Sequence, residues 1–297
     1  GLEVVLPNGK VIQTGGKDFC SEPGYDLTRI IVGSEGTLGF ITKMWLRILP
    51  KPQAKRTMLA IYNRVEDASQ TVADIVAAGI IPTTLEMMDN LLINTSEDAT
   101  GAGLPRDAGA LLIIEVDGYD ADLDEQVEII REVAKKANIR EFKVARNAAE
   151  VDQLWLARRV AIGSVARRKP SYSLQDITVP RSNFPKAVSG IVKASKDYNL
   201  DIGILAHAGD GNFHPLVLFD QRNEDEVHRV HEAEADLCNM ALELGGTVSG
   251  EHGIGLLKKK IMQMEFGPNT IMAFKHIKKA FDPDNHFNPG KIMDMSN

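Results

Sequence analysis

The stretch Asp201-Ile202-Gly203-Ile204-Leu205-Ala206-His207-Ala208-Gly209-Asp210-Gly211-Asn212-Phe213-His214-Pro215-Leu216-Val217-Leu218-Phe219 decides the fold. Two apolar runs flank a short turn of Gly, Asp and Asn, the pattern of antiparallel strands over Asp201 to His207 and Phe213 to Phe219. On the N-terminal side lie a strand from Ser173 to Val179 and a helix from Asn183 to Tyr198, whose Phe184, Val188, Ile191 and Val192 keep helical spacing. On the C-terminal side a helix from Glu224 to Leu244 carries Val227, Val230, Leu237, Ala241 and Leu244 on one stripe, and a short strand follows at Thr247 to Ser249. The order is β-α-β-β-α-β.

The same order is expected earlier in the chain. A strand at Met58 to Tyr62, a helix from Val65 to Ala78, strands near Pro82 to Glu86 and at Ala110 to Val116, a helix from Asp122 to Ala137 and a strand near Glu141 to Ala145 repeat it. The expectation is an α+β architecture: two ferredoxin-like β-α-β-β-α-β units sharing an antiparallel sheet. The two halves share no evident sequence identity, so the repeat is one of architecture.

Residues 1–50 read differently. Gly1 to Leu6, the turn Pro7-Asn8-Gly9-Lys10 and Val11-Ile12 form a hairpin signal, and Lys43 to Leu49 alternate as a strand stopped by Pro50. Because a domain seldom opens inside a hairpin, the chain is expected to be the later part of a longer protein. Pro50-Lys51-Pro52 reads as a boundary, giving expected domains of 1–50, 51–255 and 256–297, the last a closing helical segment.

Composition excludes several classes. Every apolar run is interrupted by charge before the roughly 20 residues that a membrane helix needs, and no signal sequence opens the chain. A net charge of −7 argues against a nucleic-acid binder, which would present a basic stripe. Cys20 and Cys238 are far apart without metal-ligand spacing, which favours a reducing, cytoplasmic setting.

Chemistry concentrates in two Gly-rich segments. In His207-Ala208-Gly209-Asp210-Gly211-Asn212-Phe213-His214 one imidazole ends a strand and another begins the next. If the two stand opposite each other in a hairpin, their Cβ atoms lie about 5 Å apart on one face, close enough to share a cation. In Ser249-Gly250-Glu251-His252-Gly253-Ile254-Gly255 a carboxylate adjoins an imidazole, and a bend is needed for both to serve one site. His207, His214 and Glu251 make a ligand set that zinc, manganese or iron accepts, with His252 as a base. The competing reading is that these are hydrogen-bonded loop residues, as is expected of His228, His231, His276 and His286.

Four ordered motifs resemble the FAD-linked oxidases of the vanillyl-alcohol oxidase superfamily, in the 2-hydroxyacid dehydrogenase branch that holds glycolate oxidase D subunits, D-lactate dehydrogenases and D-2-hydroxyglutarate dehydrogenases. They are Gly24 to Thr28 with Val32 to Gly39, His207 to Phe219, Ser249 to Gly255, and Phe281-Asp282-Pro283 with Asn288-Pro289-Gly290-Lys291. The resemblance implies that residues 1–50 end a PCMH-type FAD-binding domain and that the two ferredoxin-like units form a cap domain. It implies FAD contacts from Gly33, Ser34, Glu35, Gly36, Thr37, Leu38, Gly39, Phe40, Ile41 and Asn288. It implies metal ligation by His207, His214 and Glu251, proton acceptance by His252, and a clamp on the substrate carboxylate by Arg158, whose bland alternative, with Arg159, is a charged helix face.

Departures from the hydroxyglutarate enzymes, which have asparagine at Leu216 and threonine at Ile162, imply a smaller and less polar substrate. The wording of His214 to Asp220 is nearest the glycolate oxidase D branch. An electron-accepting subunit or carrier is implied as partner; a homodimer and a peripheral membrane attachment through a partner are compatible. The family's pyrophosphate loop lies upstream of these residues, so this stretch is not expected to hold FAD firmly alone. Two other readings are a metal-dependent hydrolase, which would leave Gly33 to Gly39 without a role, and a non-catalytic subunit, which would have no need of the histidines and Glu251.

Overall fold

The computed structural model describes residues 1–16 and 24–295, so Cys20 lies outside the described residues. The chain divides into two compact units, one of residues 1–50 with 251–297 and the other of residues 51–250.

In the first unit, β1 (Leu2–Val5) pairs antiparallel with β2 (Val11–Thr14), from Leu2 opposite Thr14 to Val5 opposite Val11. The turn is closed by Leu6 and Lys10, as the Pro-Asn-Gly sequence foretold. Asp26 caps α1 (Leu27–Ile31) by accepting the Arg29 amide. The third strand, β3 (Phe40–Met44), pairs with the other edge of β1. The strand expected over Lys43 to Leu49 is shifted toward the N-terminus, to Phe40–Met44, with the Trp45 amide adding one more bond to the Gly1 carbonyl at 2.9 Å. Met44, Leu46 and Ile48, the alternating apolar residues of that stretch, are exposed.

The second unit begins with β4 (Ala54–Tyr62), α2 (Val65–Ala77), β5 (Thr84–Asp89), α3 (Asn90–Thr100), β6 (Ala110–Gly118), α4 (Asp120–Lys136) and β7 (Glu141–Val144). It continues through α5 (Ala148–Ser164), β8 (Ser171–Leu174), β9 (Ile177–Thr178), α6 (Phe184–Asp197), β10 (Asp201–His207), β11 (Asn212–Phe219) and α7 (Glu224–Glu243). The sheet runs β7-β4-β6-β5-β10-β11-β8, with β9 also on β11 and a single bridge from Thr178 to Thr247. Its ladders are antiparallel. Within each half the strands stand in the order fourth, first, third, second, once the 247 bridge is counted as the fourth. The halves meet edge to edge through their second strands, β5 and β10. The expected duplicated ferredoxin-like architecture is thus observed.

One sheet face carries Leu59, Ile61, Met88, Leu111, Ile113, Leu205, Leu216 and Leu218, which pack against Leu92 and Ile93 of α3 and Ala157 and Ala161 of α5. On the other face α4 packs on β4 and β6, α6 on β10, and α7 on β11. There Phe184 stacks on Phe213 with ring centroids 4.3 Å apart. Neither α3 nor α5 is evident from hydrophobic patterning. The buried side of α5 is Ala157, Ala161 and Ser164, small residues at helical spacing that let α3 approach, with Ser164 Oγ bonded to Thr95 Oγ1 at 2.9 Å. A stripe of small residues has almost no hydrophobic signature.

Past residue 250 the chain returns to the first unit as α8 (Lys259–Glu265) and α9 (Pro268–Phe281). Among the described residues no helix is long and apolar enough to cross a membrane.

Candidate functional site

The strand period of two fixes which side chains share a face. His207 pairs with Asn212 across the β10–β11 ladder, and His214 pairs with Leu205. The two histidines are therefore not opposite each other, as the sequence suggested, but diagonal and on one face. The register is offset because the loop Ala208 to Gly211 takes four residues and Asn212 already belongs to the strand. Their rings still meet edge to face with centroids 5.1 Å apart. Gly211 makes this loop possible: its φ is +75°, and an added Cβ would stand 2.2 Å from the Val179 carbonyl oxygen.

A third strand adds a carboxylate. Glu86 of β5 is the direct cross-strand partner of His207. Its Oε1 lies 2.6 Å from His207 Nδ1, and its Oε2 accepts from Arg158 Nε, also at 2.6 Å. The Glu86 side chain is only 7% exposed and that of Arg158 12%. Burial pushes the Glu86 carboxyl upward, but the His207 hydrogen bond and the Arg158 charge outweigh it and hold the group below its usual range. A carboxylate can only accept, so His207 donates from Nδ1, and in its neutral form the lone pair sits on Nε2. The His214 Nδ1 is 3.3 Å from the Gln175 carbonyl, which likewise accepts and places the lone pair on Nε2. That is the tautomer in which an imidazole binds a cation. The donor set present fits a divalent metal.

Arg158 comes from α5, one residue beyond buried Ala157, while Arg159 is exposed. With Nε given to Glu86, the remaining donors of the guanidinium are its two terminal Nη groups. The arginine is therefore more than a charged helix face, although its first partner is an internal one.

The end of the second unit is held by three contacts. Thr178 and Thr247 exchange backbone hydrogen bonds of 3.1 and 2.9 Å. Ser249 Oγ donates to the fully buried Asp176 at 2.8 Å. Gly250 passes so close to Thr178 and Asn212 that a Cβ would stand 2.2 Å from Thr178 Oγ1. The next residue, Glu251, is covalently one Cα step of about 3.8 Å further on. Glu251 and His252 open the returning segment of the first unit, and both are exposed. His228 and His231 are exposed on α7, in keeping with their expected structural role.

In the first unit, Gly33 to Gly39 form a loop that leads into β3, whose first residues are Phe40 and Ile41. Glu35 has a φ of +53°, and its carboxylate accepts the amides of Ile254 at 2.6 Å and Gly255 at 2.8 Å. Asn288 Nδ2 donates to the Glu35 carbonyl at 2.9 Å, and buried Lys278 donates to the Thr37 carbonyl at 2.8 Å. Beside the loop lies a cavity of about 380 Å³ lined by Val32, Leu38, Ile254, Phe274 and Ile292 among others. A largely apolar cavity of this size suits a ring system better than a whole dinucleotide. The small residues and apolar wall fit part of a flavin cofactor.

Sequence reading missed Glu86, Gln175 and Asp176. The signal for Glu86 was available: it is the lone charge within Leu85-Glu86-Met87-Met88, a strand whose neighbours are all buried.

The family model described as FAD linked oxidases, C-terminal domain matches residues 51–292. The chain belongs to the FAD-linked oxidases. Within that family it is 45% identical over 292 residues to the glycolate oxidase subunit GlcD of Bacillus subtilis, covering 98% of this chain and 62% of that protein. It is 34% identical to the mitochondrial D-lactate dehydrogenase [cytochrome] of Arabidopsis thaliana, covering 98% of this chain and 52% of that one. The chain thus spans between half and two thirds of these relatives' lengths. A crystal structure of p-cresol methylhydroxylase with substrate bound shares the fold, with a TM-score of 0.73 at 18% identity over 100% of this chain and 65% of that chain.

Proposed function

We propose that the protein containing this chain is an FAD-dependent dehydrogenase that oxidises a small 2-hydroxy acid, glycolate or D-lactate, to the 2-oxo acid. The observation that carries this reading is the buried Glu86 joining a ligand-form imidazole to an arginine on one sheet face, in a chain of FAD-linked oxidase descent. The names of the relatives, glycolate oxidase subunit and D-lactate dehydrogenase, point to the substrate class.

His207, His214 and Glu251 would hold a divalent cation, and Gly33 to Ile41 with Asn288 would line the flavin. When bound, the flavin supplies the two-electron acceptor and the cation a positive charge against the substrate oxygen. The chain's own residues bind and deprotonate. The Arg158 Nη groups hold the substrate carboxylate end-on through two parallel hydrogen bonds. His252 takes the 2-hydroxyl proton, for which an imidazole is suited near neutral pH. The buried walls around Glu86 keep water from the charged groups and so strengthen their pull. An electron-accepting partner subunit or carrier would take up the two electrons removed from the substrate.

The test is anaerobic flavin bleaching in the full-length protein with glycolate, D-lactate, D-malate and D-2-hydroxyglutarate. Rapid bleaching by glycolate or D-lactate is expected. His252→Ala should abolish bleaching with metal content retained, and near-normal turnover in that variant would remove the base assignment. Full activity in rigorously metal-free protein would reject the role of the cation.

A further inference from the structure

We infer that Glu86 is a positioning residue that couples the metal half of the site to the substrate-carboxylate half. The inference rests on the reading of His207 as a metal ligand and Arg158 as the carboxylate clamp, and adds a residue that touches neither metal nor substrate.

The geometry is specific. The two carboxylate oxygens are divided, one to His207 Nδ1 and one to Arg158 Nε, both at 2.6 Å. The three residues come from different elements, β5, β10 and α5, so no local backbone geometry sets their spacing. Glu86 is pinned by direct pairing with His207 across the ladder and by its place in a strand whose neighbours Leu85, Met87 and Met88 are buried. A buried carboxylate with two partners and almost no solvent contact has one orientation. That orientation sets the His207 ring and tautomer. It also takes the Nε donor of Arg158, leaving the Nη donors for an anion. A shift in either partner must move the shared carboxylate and so the other.

In a simpler structural role Glu86 would merely neutralise Arg158 and hold the helix to the sheet. The two roles separate in the glutamine variant. Glu86→Gln keeps size and one accepting oxygen but replaces the second with an amide that cannot accept from Arg158 or His207. The experiment uses the full-length holoprotein and measures Mn²⁺ and Zn²⁺ affinity by equilibrium dialysis, together with KM and kcat for glycolate or D-lactate at saturating metal. Glu86→Gln is expected to weaken metal binding about 10-fold to 100-fold. It should also raise KM several-fold at saturating metal, with flavin content and melting temperature near wild type. Glu86→Asp, which keeps the charge on a shorter stem, should recover part of one property at the expense of the other.

Loss of metal affinity with KM unchanged, or a raised KM with metal affinity unchanged, would overturn the coupling. So would wild-type values for both. If Glu86→Gln does not fold, Glu86→Asp carries the same two readouts, and equal retention of both by Asp would overturn the inference. His207→Ala and Arg158→Met are measured alongside. If the first leaves metal affinity intact or the second leaves KM intact, the underlying site reading has failed, which is a separate result.

Discussion

Lys278→Met tests how the loop before β3 is held, without assuming anything about catalysis. The Lys278 side chain is 4% exposed and that of Asp282 is fully buried, and the two are ion-paired within α9 and its end. The ammonium also donates to the Thr37 and Phe287 carbonyls, each at 2.8 Å. Methionine fills a similar volume but cannot donate, so two buried carbonyls lose their partner and Asp282 keeps only the amides of His286 and Phe287. Removing one member of a buried ion pair costs roughly 3–5 kcal/mol. For a domain of this size that is a fall in melting temperature on the order of 10 °C. Burial pushes the Asp282 carboxyl up, but Lys278 and the two amides overcome this and hold it below its ordinary value. Its stabilisation is therefore present above the unfolded value, about 3.9, and is lost as pH falls through the lower folded one. The deficit of the variant should be largest at neutral pH and narrow on acidification, as read by circular dichroism melts between pH 3 and 8. Lys278→Met with Asp282→Asn, which removes the stranded charge, should recover most of the loss. A melting temperature within 2 °C of wild type at neutral pH, or a deficit that widens in acid, would refute the reasoning.

Two further outcomes follow from close contacts and one from pH. Gly211→Ala forces a Cβ to 2.2 Å from the Val179 carbonyl at a φ of +75°, and should cost at least about 2 kcal/mol by chemical denaturation, since neither the backbone atom nor the dihedral can yield easily. Gly250→Ala meets Thr178 Oγ1 at 2.2 Å, so it should displace the segment before Glu251; the expected reading is weakened Mn²⁺ binding in the full-length protein, and unchanged affinity would count against Glu251 as a ligand. Asp89 caps α3 by accepting the Leu92 amide at 3.1 Å, and its burial pushes the carboxyl up to about 7. A raised acid costs stability as pH climbs from its unfolded value through the folded one, so the wild type should lose melting temperature between pH 5 and 8, whereas Asp89→Asn, which retains the capping acceptor, should flatten that slope. Parallel slopes in the two proteins would show that Asp89 is not the cause.

Strands and helices with an apolar stripe could be read from the sequence because periodicity reports burial directly. That is why both β-α-β-β-α-β orders emerged, including α6 and α7 to within a residue of their ends. The helices α3 and α5 escaped because much of their buried side is small or polar, Thr95 and Ser96 beside Leu92 and Ile93 in α3, and Ala157, Ala161 and Ser164 in α5, which weakens the apolar stripe. The strand expected at Lys43 to Leu49 was displaced for another reason: alternation gives a face but not the register with a partner. For the site, His207 and His214 stood out through their Gly-rich loop, yet their register did not, since the number of residues in the turn decides it.

As the partner of His207, Glu86 was missed for a reason that bears on how the site came to be placed. It belongs to β5, in the first ferredoxin-like half, while His207 belongs to β10, in the second, and they pair where the two halves join edge to edge. Neither half contains the carboxylate–imidazole pair alone. Along this seam the same sheet face is apolar at Met88 and Leu205 and polar one pair further on, at Glu86 and His207. Period-two alternation makes that step unavoidable: any residue two beyond Leu205 must face α3 and α5. A polar pair there is stable only if both members are satisfied, and Arg158 from α5 completes the satisfaction from above. The packing that closes the core therefore also brings together the groups that the proposed chemistry needs.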